Sequence, residues 1–324
     1  MGYVLDAARI EEATRSIDPA LQNTPLLRSE RIDELLKCRV LIKDETANPI
    51  RSFKGRGTEN FISAYAKRVN EFVCASAGNF GQGMAWAARR HDARVTVFAA
   101  EMANPRKIAR IRELGARVEL VGSDFEEANA AALNYATVNG SMYVDDTIHP
   151  EVAEGAGTIA LELTTSQQDF DVVVVPIGGG ALINGIGTWI RHAKPESRVI
   201  GVCAQGAPSM ALSWQQHKVV ETGATTTVAD GIALRIPSST SLEAMRQTVD
   251  DVVLVSDDAM MQGMRLLFNN LGVISEPAGA AALAAIIEHG ERLGAKTACV
   301  IVSGGNLTER QMNEWLLAPA LNDN

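Results

Sequence analysis

Lys54 stands in the stretch ANPIRSFKGRGTENF, residues 47–61, between an aromatic residue, Phe53, and two glycines, Gly55 and Gly57. A run of helical period follows it. An amine at a helix start lies at the positive end of the dipole, which favours its neutral, nucleophilic form. In a second stretch, VVVVPIGGGALINGIGTWI, residues 172–190, a β-branched run gives way to Gly178, Gly179 and Gly180 before another helical pattern. Glycines let backbone N–H groups crowd around an anion, and the helix N-terminus adds partial positive charge. The loop lacks the Lys-Ser/Thr of a Walker loop, and its GGGA spacing is not the GxGxxG dinucleotide pattern. A nucleophilic lysine combined with a phosphate cradle suits a Schiff base with a phosphorylated aldehyde, that is, pyridoxal 5′-phosphate. Phe53 is placed to pack on its ring. Taken alone, the glycine run reads equally well as a tight structural turn, and a lone lysine as a solvated side chain.

The elements that must position these groups are legible as alternating short apolar runs and helical stretches. Strands are predicted over 39–45, 71–76, 94–100, 117–122, 171–178, 198–204, 251–256 and 297–303. The βαβα alternation implies parallel sheet covered by helices on both faces, and runs such as VVVV fit strands buried on both sides. In open α/β sheets ligands sit at the carboxyl ends of strands. Glycine-bearing segments fall at those ends: SAGNFGQG (76–83), GGGAL (178–182) and SGGN (303–306). Their placement suggests one shared site. No linker or fixed-period repeat interrupts the chain, so a second domain is expected as an insertion.

The chain has 324 residues, a length for one large or two modest domains. Its net charge of −9 argues against nucleic-acid binding, which demands a basic face. Cys38, Cys74, Cys203 and Cys299 are far apart and offer neither a CxxC metal site nor a disulfide framework, so free thiols in a reducing cytoplasm are expected. The N-terminal MGYVLDAARIEEATRSI is an amphipathic helix pattern rather than a signal peptide, and no apolar run reaches the roughly 20 residues that span a bilayer.

SFKGRG (52–57), SAGNFGQG (76–83), PIGGGALINGIG (176–187), VADGIAL (228–234), EPAGAAALAA (276–285) and VSGGN (302–306) come in an order and spacing that resemble the serine/threonine dehydratase (threonine ammonia-lyase) and serine racemase family. The resemblance runs from TPLLRS (24–29) onward. These are fold-type II enzymes that use pyridoxal phosphate. It implies a tryptophan synthase β-like α/β fold: two open parallel-sheet domains with the cofactor in the cleft. By the same resemblance Lys54 is the Schiff-base lysine that also moves the α-proton, and Phe53 packs against the ring. Asn79 holds the cofactor's 3′-oxygen. Ser76, Gly78, Asn79 and Phe80 form the substrate-carboxylate loop. Gly178, Gly179, Gly180, Ala181 and Leu182 form the phosphate loop, Ser303 partners the pyridine nitrogen, and Glu276 lies near the cofactor or, equally, serves as a helix N-terminal charge. The family has glycine where this chain has Ala181, an exchange tolerated if its φ stays negative.

The implied reaction is β-elimination from a β-hydroxy-α-amino acid such as L-threonine or L-serine, giving a 2-oxo acid and ammonia. The alternatives are a racemase, a β-replacement enzyme, or a dehydratase for a bulkier β-substituted serine. A serine at 303 makes the ring a weaker electron sink than a carboxylate would, which suits prompt loss of a β-hydroxyl. Ala77 replaces the serine that racemases of the family carry, which demotes racemisation. Cys203 and Ser209 stand where the family's divalent-metal site has acids, so no metal is expected. Phe80 replaces a histidine, and Ala156 replaces a glutamine in IHPEVAEGAG (148–157), read as a shortened loop; both make the expected pocket more apolar. A large domain of 1–69 with 148–324, a small domain of 70–147, and a homodimer are expected. No appended regulatory domain is expected, since the chain ends soon after LTERQMNEWLLAPA.

Overall fold

The computed structural model describes residues 4–317; residues 1–3 of the N-terminal pattern and 318–324 lie outside it. The strands are β1 (Leu26–Leu27), β2 (Arg39–Asp44), β3 (Glu71–Ala75), β4 (Arg94–Ala99), β5 (Arg117–Leu120), β6 (Met142–Tyr143), β7 (Val172–Pro176), β8 (Arg198–Ala204), β9 (Asp251–Val255) and β10 (Thr297–Val302). The helices are α1 (Ala7–Ser16), α2 (Glu30–Leu36), α3 (Lys54–Tyr65), α4 (Asn79–Arg90), α5 (Pro105–Glu113), α6 (Phe125–Asn139), α7 (Pro150–Thr165), α8 (Ala181–Ala193), α9 (Ser209–Gln216), α10 (Ser239–Thr248), α11 (Asp257–Leu271), α12 (Pro277–Leu293) and α13 (Glu309–Met312).

One sheet has the order β1-β2-β10-β7-β8-β9 and the other β5-β4-β3-β6. All pairings are parallel except β1 with β2, where Leu26 faces Lys43. Side chains alternate across a strand. Val172 and Val174 of β7 therefore enter one core, with Val300, Val202 and α12, while Val173 and Val175 enter the other, with Ile183 and Ile186 of α8. Each buried valine contributes about 1.5–3 kcal/mol relative to exposure, so the register of a doubly covered strand is fixed on both faces at once. In the smaller sheet Phe72, Cys74 and Val97 pack against α3 and α4, and Val73 and Phe98 against α6.

Helix α7 lies between α3 and α8 at close approach. A Cβ on Gly155 would sit 2.5 Å from the carbonyl oxygen of Arg56, and one on Gly185 would sit 2.7 Å from the amide of Gly157. Only hydrogen-bearing Cα atoms fit there. The strand readings hold, 198–204 with its full bounds and the other seven with shorter ends, and β1 and β6, two residues each, were not among them.

Candidate active site

The sheet order places β2, β10 and β7 side by side and parallel, so their carboxyl ends converge. Lys54, Ser303 and the glycine loop each follow one of these three strands. After β2, Asn48 ties the turn: its Nδ2 donates to the carbonyls of Glu45 (2.7 Å) and Ser52 (3.1 Å), and its Oδ1 accepts from the amide of Ile50 (3.1 Å). Ser52 bridges Gly304, and the amide of Phe53 donates to the carbonyl of Ser303 at 3.1 Å. Helix α3 then starts at Lys54, with Phe53 at its N-cap. Two residues on, Arg56 is wholly buried. It grips Glu45 with Nε and Nη2 at 2.8 Å each, and Glu162 of α7 with Nη1 at 2.5 Å and Nη2 at 3.0 Å. Burial opposes its charge, but the two carboxylates outweigh that and raise its pKa.

The glycine loop joins β7 to α8. Gly180, at the N-cap, has φ +97°, and Ala181 begins the helix with a negative φ, as its substitution for glycine requires. No side chain caps α8, so its first-turn amides lack both intrahelical and N-cap acceptors. The loop is braced from α10: Ser241 Oγ donates to the carbonyl of Gly179 at 2.6 Å, and Asn184 Nδ2 donates to Ser241 Oγ at 3.0 Å. Phe53, Lys54, the 178–182 loop, Gly231, Ile232 and Ser303 line one cleft.

Across from them, α4 starts at Asn79, and Ser76 Oγ accepts from the amide of Gly78 at 3.2 Å. Phe80 is buried, and Lys54 Nζ lies 5.8 Å from its ring centroid and 4.8 Å from that of Phe53. Asn79 Nδ2 donates to Glu276 Oε1 at 2.6 Å, and Asn306 Nδ2 donates to Asn79 Oδ1 at 2.8 Å. Glu276 occupies the N-cap of α12 but makes no capping bond. Its carboxylate serves Asn79 and the amide of Asn306 instead, the latter at 3.2 Å. Burial pushes the Glu276 carboxyl up and Asp230 adds to the rise, against Lys107 and the Asn79 amide.

Several site groups were not read from the sequence. Asp146 pairs with Lys54 Nζ. Asn306 locks Asn79, and Lys107 of α5 reaches Asp230 at 2.6 Å. Asp146 follows β6, a two-residue strand that the sequence pattern does not reveal, so the Asp145-Asp146 pair had no strand end to mark it. The expected loop 148–157 is corrected: Pro150 opens α7, so residues 150–157 are helical. Proline fits the first helical turn because its missing N–H has no partner to lose there. Ala156 is buried among core residues of α7 and α8 rather than facing the cleft. Cys203 is a buried thiol pushed up to about 12 by burial, and Ser209 Oγ donates to the carbonyl of Leu234 at 2.7 Å.

The donor set suits pyridoxal phosphate. An uncapped helix start behind a glycine loop suits a phosphate, the Lys54 amine an aldehyde, the Phe53 ring a planar heterocycle, and the Ser303 hydroxyl a ring nitrogen. The comparisons agree. An L-threonine ammonia-lyase of Geobacter sulfurreducens is 37% identical over 301 residues, covering 92% of this chain and 75% of the relative. A threonine deaminase structure from Solanum lycopersicum has TM-score 0.88 at 28% identity, covering 97% of this chain and 89% of that one. The structure of maize serine racemase has TM-score 0.90 at 27% identity, covering 96% and 97%. The family described as pyridoxal-phosphate dependent enzyme matches residues 17–304. A lysine and a phosphate cradle on the ends of the two strands that flank β10, within a match of that extent, place the chain in the pyridoxal-phosphate dependent enzyme family.

Proposed function

We propose that the protein is a dehydratase (ammonia-lyase) that converts L-threonine or L-serine to the 2-oxo acid and ammonia. The observation that carries this reading is Lys54 at the start of α3, facing the 178–182 loop with Ser303 at its side. The names of the relatives, L-threonine ammonia-lyase and L-threonine dehydratase, support the substrate class. Pyridoxal phosphate, when bound, supplies an aldehyde for the amino group and a conjugated ring that accepts an electron pair. Phe53, Asn79, residues 178–182, Glu276 and Ser303 would hold it. Ser76, Gly78, Asn79 and Phe80 would bind the substrate carboxylate through the loop that opens α4. Lys54 takes the α-proton, and the buried ring of Phe80 and the half-buried ring of Phe53 keep water from its amine.

A neutral hydroxyl at Ser303 favours prompt loss of the β-oxygen over a long-lived carbanion. Ala77 has no transferable proton for the opposite face, which ranks racemisation below elimination despite the likeness to serine racemase. Phe80 beside Lys54 favours an apolar β-substituent, so threonine or a larger analogue is expected to exceed serine.

We assign residues 1–69 and 148–324 to a large domain and 70–147 to a small one. The strands of the second sheet, all within Glu71–Tyr143, support these bounds. Among the described residues no helix is long and apolar enough to cross a membrane. Free cysteines support a reducing, cytoplasmic setting, and the family resemblance supports a homodimer. The test is 2-oxo acid release from a panel of L-threonine, L-serine and β-phenylserine, with D-serine measured in parallel. Threonine turnover with little D-serine is expected; D-serine as the main product from L-serine would replace the dehydratase by a racemase.

A further inference from the structure

Lys54 does not face the cleft alone. Its Nζ is in direct contact with Asp146 Oδ2, and both side chains are about four-fifths buried, at 18% and 21% exposure. The backbone that carries Asp146 is held on both sides. The amide of Val144 donates to the carbonyl of Val73 at 2.8 Å, which pins the chain leaving β6, and the amide of Thr147 donates to Asp145 Oδ1 at 2.7 Å. Its other oxygen points toward the glycine loop: a Cβ on Gly179 would lie 3.6 Å from Asp146 Oδ1. Asp146 therefore spans the gap between the amine of Lys54 and the phosphate loop.

The remaining acids of the region are engaged elsewhere. Glu276 serves Asn79 and Asn306, and Asp230 serves Lys107. The Cys74 thiol, pushed up to about 12 by burial and then by Asp146, is too weak an acid to compete.

We propose that Asp146 is the general acid for the leaving β-hydroxyl, recharged by the proton that Lys54 removes from Cα. The proposal rests on the dehydratase reading above. Neutral Lys54 takes the α-proton and becomes an ammonium. That proton moves across the contact to the Asp146 carboxylate, which restores the neutral amine. The Asp146 carboxyl then donates it to the β-oxygen as the Cβ–O bond breaks, and water departs with the electron pair of that bond. The pair from the Cα–H bond ends in the new Cα=Cβ bond. Lys54 and Asp146 finish as they began, and the net loss is one water.

The discriminating experiment varies the need for an acid. Hydroxide is a poor leaving group and needs a proton, whereas chloride from β-chloro-L-alanine does not. Asp146→Asn is expected to lose at least about a hundredfold in kcat with L-threonine and L-serine, the scale of one general acid. It is expected to keep elimination from β-chloro-L-alanine within about threefold. Two readouts stand apart from turnover: the absorbance of bound cofactor, expected at wild-type stoichiometry, and deuterium wash-in at Cα of L-alanine in D2O by NMR, expected at the wild-type rate. Asp146→Glu, which retains a carboxyl, is expected to recover at least about tenfold of the loss. Equal losses on hydroxy and chloro substrates, loss of the wash-in, unchanged threonine turnover, or a Glu variant no better than Asn would each overturn the proposal. A wild-type enzyme that eliminates from chloroalanine but releases no 2-oxo acid from any β-hydroxy amino acid would instead overturn the dehydratase reading.

Discussion

The backbone amide of Phe53 donates to the backbone carbonyl of Ser303 at 3.1 Å, so the residue before the lysine proposed to be catalytic and the residue proposed to partner the ring nitrogen share one hydrogen bond. The bond uses no side-chain atom of Ser303. Ser303→Asp is therefore expected to keep the loop pairing while replacing a neutral hydroxyl by a group able to hold the ring nitrogen protonated. The ratio of D-serine plus transamination product to pyruvate should rise severalfold. Product ratios unchanged from the wild type would remove the electron-sink account of why this site eliminates.

Lys54→Ala should abolish turnover, with kcat falling by about 10⁴ or more because the base and the covalent anchor go together. The visible absorbance of bound cofactor should lose the band that depends on the lysine amine. Exogenous methylamine would restore a fraction of activity if the fold is intact. A variant with near-wild-type kcat would refute the assignment of Lys54.

Arg56 makes a structural prediction two residues from the chemistry. Its guanidinium is 0% exposed and is the common partner of Glu45 and Glu162. Breaking a buried pair by removing one member leaves uncompensated charge, at a cost of about 3–5 kcal/mol. Arg56→Met should lower the urea midpoint accordingly. Arg56→Met combined with Glu45→Gln and Glu162→Gln should recover a large part of the loss, although Lys43, which contacts Glu162 Oε2 at 2.5 Å and the carbonyl of Thr24 at 2.6 Å, then loses its carboxylate partner.

Glu154 of α7 supplies a pH dependence. It is 2% exposed, its closest cation is Arg9 Nη1 of α1 at 3.8 Å, and burial pushes its carboxyl up to about 7 from 4.5. The folded state therefore holds a proton that the unfolded chain releases near pH 4.5. Stability from this group is fully present below that pH, falls as pH rises through about 7, and is flat above. Glu154→Gln should accordingly be more stable than the wild type at pH 8, by about 1–3 kcal/mol, and the difference should vanish below pH 4.5. Urea midpoints of both proteins at pH 4.5, 6 and 8 check the sign.

The sequence carried the fold where patterns were long. Eight strands are largely apolar runs of four or more residues, and the three glycine-bearing ends mark where the cleft lies. β1 and β6 are two residues each, too short for a period of two to register, and the acid of the site hangs on one of them. Asp146 was illegible for that reason: Asp145 and Asp146 look alike in the sequence, and only the pairing of β6 with β3 turns one toward Lys54. Residues 148–157 were read as loop because their glycines and alanine mask the helical period, while Pro150 marked the helix start. Glu276 could be placed near the cofactor by its motif, but its choice of Asn79 over the end of its own helix depends on Asn306, brought there by β10.

The close seating of α7 between α3 and α8 has a practical consequence for anyone reshaping this catalyst. Gly155 and Gly185 set how far the lysine-bearing helix stands from the helix that opens on the glycine loop. They act as a built-in gauge, and a methyl group at either would widen the reach between amine and anion without touching a cleft-lining side chain. Libraries that randomise these two positions should return clones dead by misalignment, indistinguishable in an activity screen from clones with damaged chemistry.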